Sequence, residues 1–268
     1  MKSMMKKAFA LTLTVLMILS LAACTKKNSE KDLLARIKEK GMLELGTEGD
    51  WAPWTYHDED DNLVGFDVEI GTAVAEYLGV EVKFHQTDWD SILAGVDSGR
   101  FDIACNGVGV TEERAEKYAF TEPYLYTEVV LVVRADNEEI KTVDDLAGKN
   151  TANTASSTYA AIAEAKGAKV TPVDNLAETI MLVEQGRVDA TINAKASIED
   201  YLAEQPDANI KIVEVLKEGE PVAYPVRKGA ETETLLAAIN DILDAARADG
   251  TLGAISEKYL GVDLTHGE

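Results

Sequence analysis

Basic residues, cysteine, histidine and aromatics are all scarce in this chain, and each shortage removes a class of function. Of 268 residues only 26 are Lys or Arg against 48 Asp or Glu, giving a formal net charge of -22. A nucleic-acid partner needs a basic face to release condensed counterions, and no Lys/Arg cluster occurs beyond the first residues. Two cysteines cannot build a disulfide framework. Three scattered histidines do not assemble a His-based metal site or a Ser/His/Asp triad, so no metal and no cofactor is expected. What is abundant is ordinary core material: 46% of residues are hydrophobic and 28% charged, a composition for one or two folded domains.

The first residues read as an address. Lys2, Lys6 and Lys7 precede an apolar run from Ala8 to Leu21 that ends in small residues, the layout of an export signal. The run is short for a spanning helix and is interrupted by Thr12, Thr14 and Ser20. Its end, Leu21-Ala22-Ala23-Cys24, resembles a bacterial lipoprotein box, in which cleavage precedes the cysteine and its sulfur is lipidated. Several acyl chains would give a stable anchor on the cell membrane, where one alone does not. The polar residues after Cys24 read as a tether, so residues 1–23 are expected to be removed and 24–34 to be a linker. Cys105, between apolar neighbours, is expected to be a small buried residue without chemistry.

From residue 32 onward short β-type runs alternate with helical spacing, which predicts an α/β fold on largely parallel sheets. Strands are expected near 42–47, 80–86, 101–106, 129–133, 151–154, 169–173, 188–193 and 210–215. Helical spacing covers 68–78, 111–117, 157–165, 176–185, 198–203 and 231–248, with a short helix after Gly250. Within this alternation Gly99-Arg100-Phe101-Asp102-Ile103-Ala104-Cys105-Asn106 matches Gly186-Arg187-Val188-Asp189-Ala190-Thr191-Ile192-Asn193 in the pattern GRxDxxxN. Each copy follows a helix ended by glycine and runs down a strand to an asparagine. The repeat argues for two similar lobes facing a cleft, with Asn106 and Asn193 at the carboxyl strand ends where open α/β sheets bind ligands. Both asparagines are equally well read as turn formers. Proline-bearing stretches at 123–128 and 218–224 bracket the second lobe and predict a two-strand hinge. The expected division is 35–125 with 222–268 as one lobe and 126–221 as the other.

Several residues at strand ends are candidates for holding a ligand. Glu48 and Trp51 follow the first strand in a loop broken by Gly49 and Pro53, and Trp89 follows another; each tryptophan is either core or a cleft wall. Trp54 reads as core. Gly107 and Gly109 lead into a helix carrying Arg114, whose guanidinium can grip a carboxylate with two parallel hydrogen bonds or else pair with nearby glutamates on the surface. The pair of glycines lacks the further residues of a nucleotide loop. Thr154, Ser157 and Thr158 take a strand into a helix, a junction that caps the helix and forms a ready anion site.

Taken together the motifs resemble the bacterial extracellular solute-binding proteins that serve polar amino acid ABC transporters. The resemblance rests on Gly65-Phe66-Asp67-Val68, Gly99-Arg100-Phe101-Asp102, Thr111-Glu112-Glu113-Arg114, Phe120-Thr121-Glu122-Pro123-Tyr124, Asp145-Leu146-Ala147-Gly148-Lys149, and Asp249-Gly250-Thr251-Leu252 with Lys258-Tyr259-Leu260-Gly261. It implies a two-lobe type II periplasmic-binding-protein fold that closes on one amino acid, possesses no enzyme activity, acts as a monomer and docks on permease subunits. It further implies that Arg114, Ser157 and Thr158 hold the ligand carboxylate. The Gly107 carbonyl and Glu48 would hold the ammonium, and Trp51 and Trp89 would sandwich the side chain. Three positions depart from the family pattern: Gly109 replaces Ser or Thr, Ser156 replaces Gly, and Ala194 replaces the aspartate that pairs with the ammonium. Either Glu48 or Glu199 compensates for that aspartate, or the ligand is not a simple α-amino acid. The asparagines at strand ends and Gly109 resemble the cystine-binding branch. The alternative is an enzyme on the same fold, such as a cyclic-acid dehydratase, with Glu48 as acid or base.

Overall fold

The computed structural model describes residues 32–216 and 219–267. The export segment, Cys24 and most of the tether lie outside the described residues. No helix among the described residues is long and apolar enough to cross a membrane.

The first lobe forms around a three-stranded parallel sheet. Its strands are β1 (Met42–Thr47), β4 (Glu81–Gln86) and β5 (Ile103–Ala104), in the order β4-β1-β5. A small hairpin of β2 (Tyr56–His57) and β3 (Leu63–Val64) lies between the first two of these in sequence. Helix α1 (Leu33–Lys40) opens the lobe, capped by the Asp32 carboxylate on Ala35 N–H. It is followed by α2 (Phe66–Leu78) and α3 (Trp89–Ser98). Sequence spacing missed α3, although Asp88 accepts from Ser91 N–H as its N-cap and Ile92 and Val96 fall one turn apart on its buried face. The lobe is completed by the two C-terminal helices, α8 (Glu233–Ala248) and α9 (Thr251–Leu260). In α8 the buried Leu235, Ile239, Ile242 and Leu243 make one stripe, each side chain worth about 1.5–3 kcal/mol on burial.

The second lobe carries a five-stranded sheet. Its strands are β8 (Val129–Arg134), β9 (Asn150–Asn153), β10 (Lys169–Pro172), β11 (Ala190–Ala194) and β12 (Ile210–Val215), in the order β10-β9-β11-β8-β12. The largely parallel expectation holds for β10-β9-β11 but not for β8, which is antiparallel to both β11 and β12. The chain enters β8 straight from the hinge, so no crossover helix sets a parallel direction there. Helices α5 (Thr158–Ala165), α6 (Leu176–Glu184) and α7 (Lys195–Glu204) follow β9, β10 and β11.

The GRxDxxxN repeat does the same structural task in both lobes. Asp102 accepts from Glu44 N–H at 2.9 Å while its own N–H donates to Glu44 O. Asp189 likewise accepts from Asn150 N–H at 2.7 Å and donates to Asn150 O. Each aspartate therefore ties the incoming segment to the strand beside it. Between the lobes the chain crosses twice: β7 (Leu125–Thr127) pairs antiparallel with β13 (Glu220–Val222), the two-strand hinge expected. Beside it, β6 (Tyr118–Phe120) pairs with β14 (Pro225–Arg227).

Candidate functional site

A cavity of about 560 Å³, its open mouth included, lies between the lobes. Glu48, Trp51, Trp89, Gly107, Gly109 and Arg114 line it from the first lobe, and Thr154, Ser157, Thr158 and Asn193 from the second. The ten candidate residues are thus brought to one space from five separate chain segments. The lobes touch across it: Arg114 donates to Ser156 O at 2.9 Å, Trp54 Nε1 to Ser197 Oγ at 3.1 Å, and Ser156 Oγ to the Asp90 carboxylate.

Arg114 sits in the first helical turn of α4 (Glu112–Lys117), whose N-cap Thr111 accepts from Arg114 N–H. Only 9% of Arg114 is exposed, so the surface pairing with neighbouring glutamates does not form; Glu113 pairs instead with Lys117. Its guanidinium donates to Gly109 O and Ser156 O, both at 2.9 Å, and stands 5.3 Å from the Trp89 ring centre. Burial lowers its pKa from the ordinary arginine value, and the charge of Glu220 opposes that effect.

Glu48 faces the cavity from the end of β1. Asn106 Nδ2 donates to its carboxylate at 2.6 Å, while Asn106 Oδ1 accepts from Glu48 N–H, Thr47 Oγ1 and Thr55 Oγ1. Asn106 is fully buried and does not line the cavity, contrary to the expectation from the repeat. Its amide is consumed in fixing Glu48. Burial pushes the Glu48 carboxyl up to about 7, against the lowering effect of that hydrogen bond, with Asp50, Asp88 and Asp90 adding to the rise. Glu199, the other candidate for replacing the missing aspartate, is exposed on α7 and does not line the cavity. Ala194 is itself buried, and its N–H is capped by Asn193 Oδ1 at 2.9 Å.

Trp51 and Trp89 both line the cavity, and Trp51 stacks on the fully buried Trp54 at 5.1 Å between ring centres. Gly107 is required where it stands: its φ is +55°, and a Cβ there would press on the Trp51 ring at 2.8 Å. Behind it, the buried Asp67 accepts from Gly107 N–H and from the hinge residue Tyr124 at 2.6 Å. Cys105 is buried beside this network and donates to Asp67 O.

In the second lobe Ser157 is the N-cap of α5. Its hydroxyl accepts from Ala160 N–H and donates to Thr154 O, so its side chain is committed to the helix. The N–H groups of Thr158 and Tyr159 belong to the first turn, which has no intrahelical acceptors. Sequence reading missed Asn153, Asn175, Leu176 and Thr179, which complete this wall. Asn153 is 2% exposed and donates to Thr191 Oγ1 and Ile192 O, but its Oδ1 accepts nothing; across the space Trp89 Nε1 is a buried donor without an acceptor. A buried pair of this kind is satisfied by a guest that both donates and accepts. Asn175 carried a recognisable signal, since it caps α6 through Glu178 N–H.

Known proteins share this chain's family signature and fold. Residues 43–262 match the family model of bacterial extracellular solute-binding proteins, family 3. The chain is 40% identical over 270 residues to the L-cystine-binding protein TcyA of Bacillus subtilis, covering 97% of this chain and all of that protein. Among solved structures, an ancestral arginine-binding protein bound to arginine superposes with a TM-score of 0.76 at 37% identity, over 82% of this chain and 99% of that one. The L-cystine solute receptor of Neisseria gonorrhoeae, in its unliganded open conformation, is 41% identical over 87% of this chain and 99% of that one, with a TM-score of 0.58. With a family match over most of its length and relatives covered almost end to end, the chain belongs to the bacterial extracellular solute-binding proteins of family 3.

Proposed function

We propose that the protein captures a polar amino acid between its lobes, with cystine as the leading candidate, and presents the closed form to an ABC permease. The observation that carries this reading is a buried arginine and a half-buried carboxylate lining one interlobe cavity. The ligand carboxylate meets Arg114 and the first turn of α5, and its ammonium meets Glu48, which takes over from the aspartate absent at Ala194. The side chain runs between Trp51 and Trp89 toward Asn153, Asn175 and Asn193. A wall of neutral amides suits a second zwitterionic head, as in cystine, because it can donate and accept without a fixed charge. The 40% identity to an L-cystine-binding protein supports the same choice. The lower TM-score against the more identical but open receptor accords with lobes that are drawn together here. Lipidation at Cys24 would tether the protein outside the membrane, close to the permease.

Residues 25–268, which contain every described element, should be melted with the twenty amino acids, cystine, ornithine and dicarboxylates. A selective rise of several degrees with cystine is expected, since stabilisation follows ligand concentration over Kd. No rise with any amino acid would refute the reading. Chromatography of the same mixtures should recover the ligand unchanged, as expected for a receptor and not for a dehydratase.

A further inference from the structure

The cavity wall built by the second lobe carries three asparagine amides: Asn153 at the end of β9, Asn175 at the start of α6, and Asn193 near the end of β11. They do not offer the same group. Asn175 Oδ1 accepts from Glu178 N–H at 3.0 Å and Asn193 Oδ1 from Ala194 N–H at 2.9 Å, so what each has left for a guest is its NH2. Asn153 is reversed. Backbone pairing joins β9 to β11 at Thr151 and Ala190, and two residues further on Asn153 Nδ2 takes over, donating to Ile192 O at 2.7 Å and Thr191 Oγ1 at 3.2 Å. A carbonyl only accepts, and the Thr191 hydroxyl already donates to Ala152 O, so the amide has one workable orientation. Its Oδ1 is the atom left over: buried, on a residue 2% exposed, and without a donor among the described residues. An acceptor held out of water in this way destabilises the empty closed form and is satisfied when a guest brings an N–H.

The same wall offers donors to an anion. Asn175 and Leu176 are the N-cap and first residue of the nine-residue α6, and both line the cavity with Thr179 one turn further on. Asn175 occupies Glu178 N–H, while the N–H groups of Leu176 and Ala177 have no acceptor within the helix. This helix start, with the two NH2 groups, suits a carboxylate, and Asn153 Oδ1 suits an N–H. An amino-acid head presents both, as a carboxylate and an ammonium on one carbon. A lone cation would face the donors, and a lone carboxylate would leave Asn153 unpaired.

We propose that Asn153 is a specificity-determining residue of the cleft: with the first turn of α6 it forms a second head subsite, where Oδ1 accepts from the ligand's distal ammonium and the helix holds its distal carboxylate. The inference rests on the reading of the cleft as an amino-acid site. It narrows the ligands to two-headed amino acids, L-cystine among them, whose proximal head takes Arg114, the start of α5 and Glu48.

Three disulfides separate the contributions of the distal head. They are L-cystine, the mixed disulfide of L-cysteine with 3-mercaptopropionate, which lacks the distal ammonium, and that with cysteamine, which lacks the distal carboxylate. Wild type and Asn153→Leu, as residues 25–268, should be titrated calorimetrically with each, and with L-glutamine and L-arginine. Wild type is expected to bind L-cystine at least about tenfold more tightly than the other four. Asn153→Leu, its fold verified by thermal unfolding, should bind L-cystine about 30-fold more weakly, yet bind the 3-mercaptopropionate disulfide within about threefold of wild type, because that ligand has no distal N–H to lose. A purely structural role for the Asn153 bridge to β11 would weaken both ligands alike and would overturn the inference. Wild type binding L-glutamine, L-arginine or the 3-mercaptopropionate disulfide as tightly as L-cystine would overturn it too, whether or not the variant folds. A loss confined to L-cystine in Asp50→Asn, and absent in Asn153→Leu, would assign the distal ammonium to the exposed Asp50 that also lines the cavity, against this inference. In each of these cases the amino-acid reading stands, whereas failure of wild type to bind any of the five would overturn both.

Discussion

Substitution of Glu48 by Gln should let the empty protein close. The Glu48 carboxyl stands at about 7 in the closed cleft, against 4.5 for a free glutamate. At pH 8 the side chain is ionised, and holding that charge out of water costs about 3 kcal/mol, taking 1.36 kcal/mol for each pKa unit. Opening the hinge returns the carboxylate to solvent and relieves the cost. Unliganded wild type at pH 8 is therefore biased toward the open form by roughly a hundredfold through this one group. The sign is that of a carboxylate with a raised pKa: the closed form binds more protons, so closure without ligand is easiest near pH 5 and weakens as pH rises from 4.5 through 7. An ammonium removes the penalty by pairing with the ionised group. Glutamine keeps the hydrogen-bonding shape and carries no charge, so Glu48→Gln should populate the closed form at either pH while binding ligand roughly 30-fold more weakly at pH 8. Small-angle scattering reads the lobe separation directly. Radii of gyration that are the same for wild type at pH 5 and pH 8, and the same again for the variant, would refute this account of the cleft.

Two further substitutions test the frame and the grip. Arg114→Ala removes a buried charge-assisted contact and should lose at least about 2 kcal/mol of ligand affinity, roughly 30-fold, by calorimetry. Asp102→Ala and Asp189→Ala each strip one hydrogen bond to a neighbouring strand and should cost about 1–2 kcal/mol, seen as a lower urea midpoint. Neither lies in the cavity, so a change in ligand affinity above twofold would contradict their role as strand ties.

The alternation of strands and helices was legible in the sequence because it is written in local spacing, and β1, β4, β8 and β12 fall where that spacing puts them. The hinge strands are another matter. β6, β7, β13 and β14 have three residues each, too few for any alternation to register. The repeat GRxDxxxN correctly announced two similar lobes, yet its two asparagines part company. Asn193 reaches the cavity, while Asn106 is claimed by Thr47, Glu48 and Thr55. Those partners lie some fifty residues upstream, beyond anything an eight-residue pattern encodes. Arg114 presented the converse problem: its spacing from Glu113 fits a surface pair, and only the packing of α4 against the second lobe decides against it.

On the proposed reading, the charges of the cleft favour a zwitterion over a plain acid or amine. Arg114 is buried with its guanidinium on two carbonyls, and Glu48 is half-buried with the Asn106 amide on its carboxylate. A carboxylic acid without an ammonium would meet the arginine but leave Glu48 ionised and unpaired. An amine would pair with Glu48 but leave the arginine wall dry and without a new partner. The acid forfeits the relief at Glu48, worth about 3 kcal/mol, and the amine forfeits the contact with Arg114. Discrimination therefore comes from the hinge equilibrium as much as from direct contacts: a ligand shifts the lobes only by its preference for the closed state over the open one.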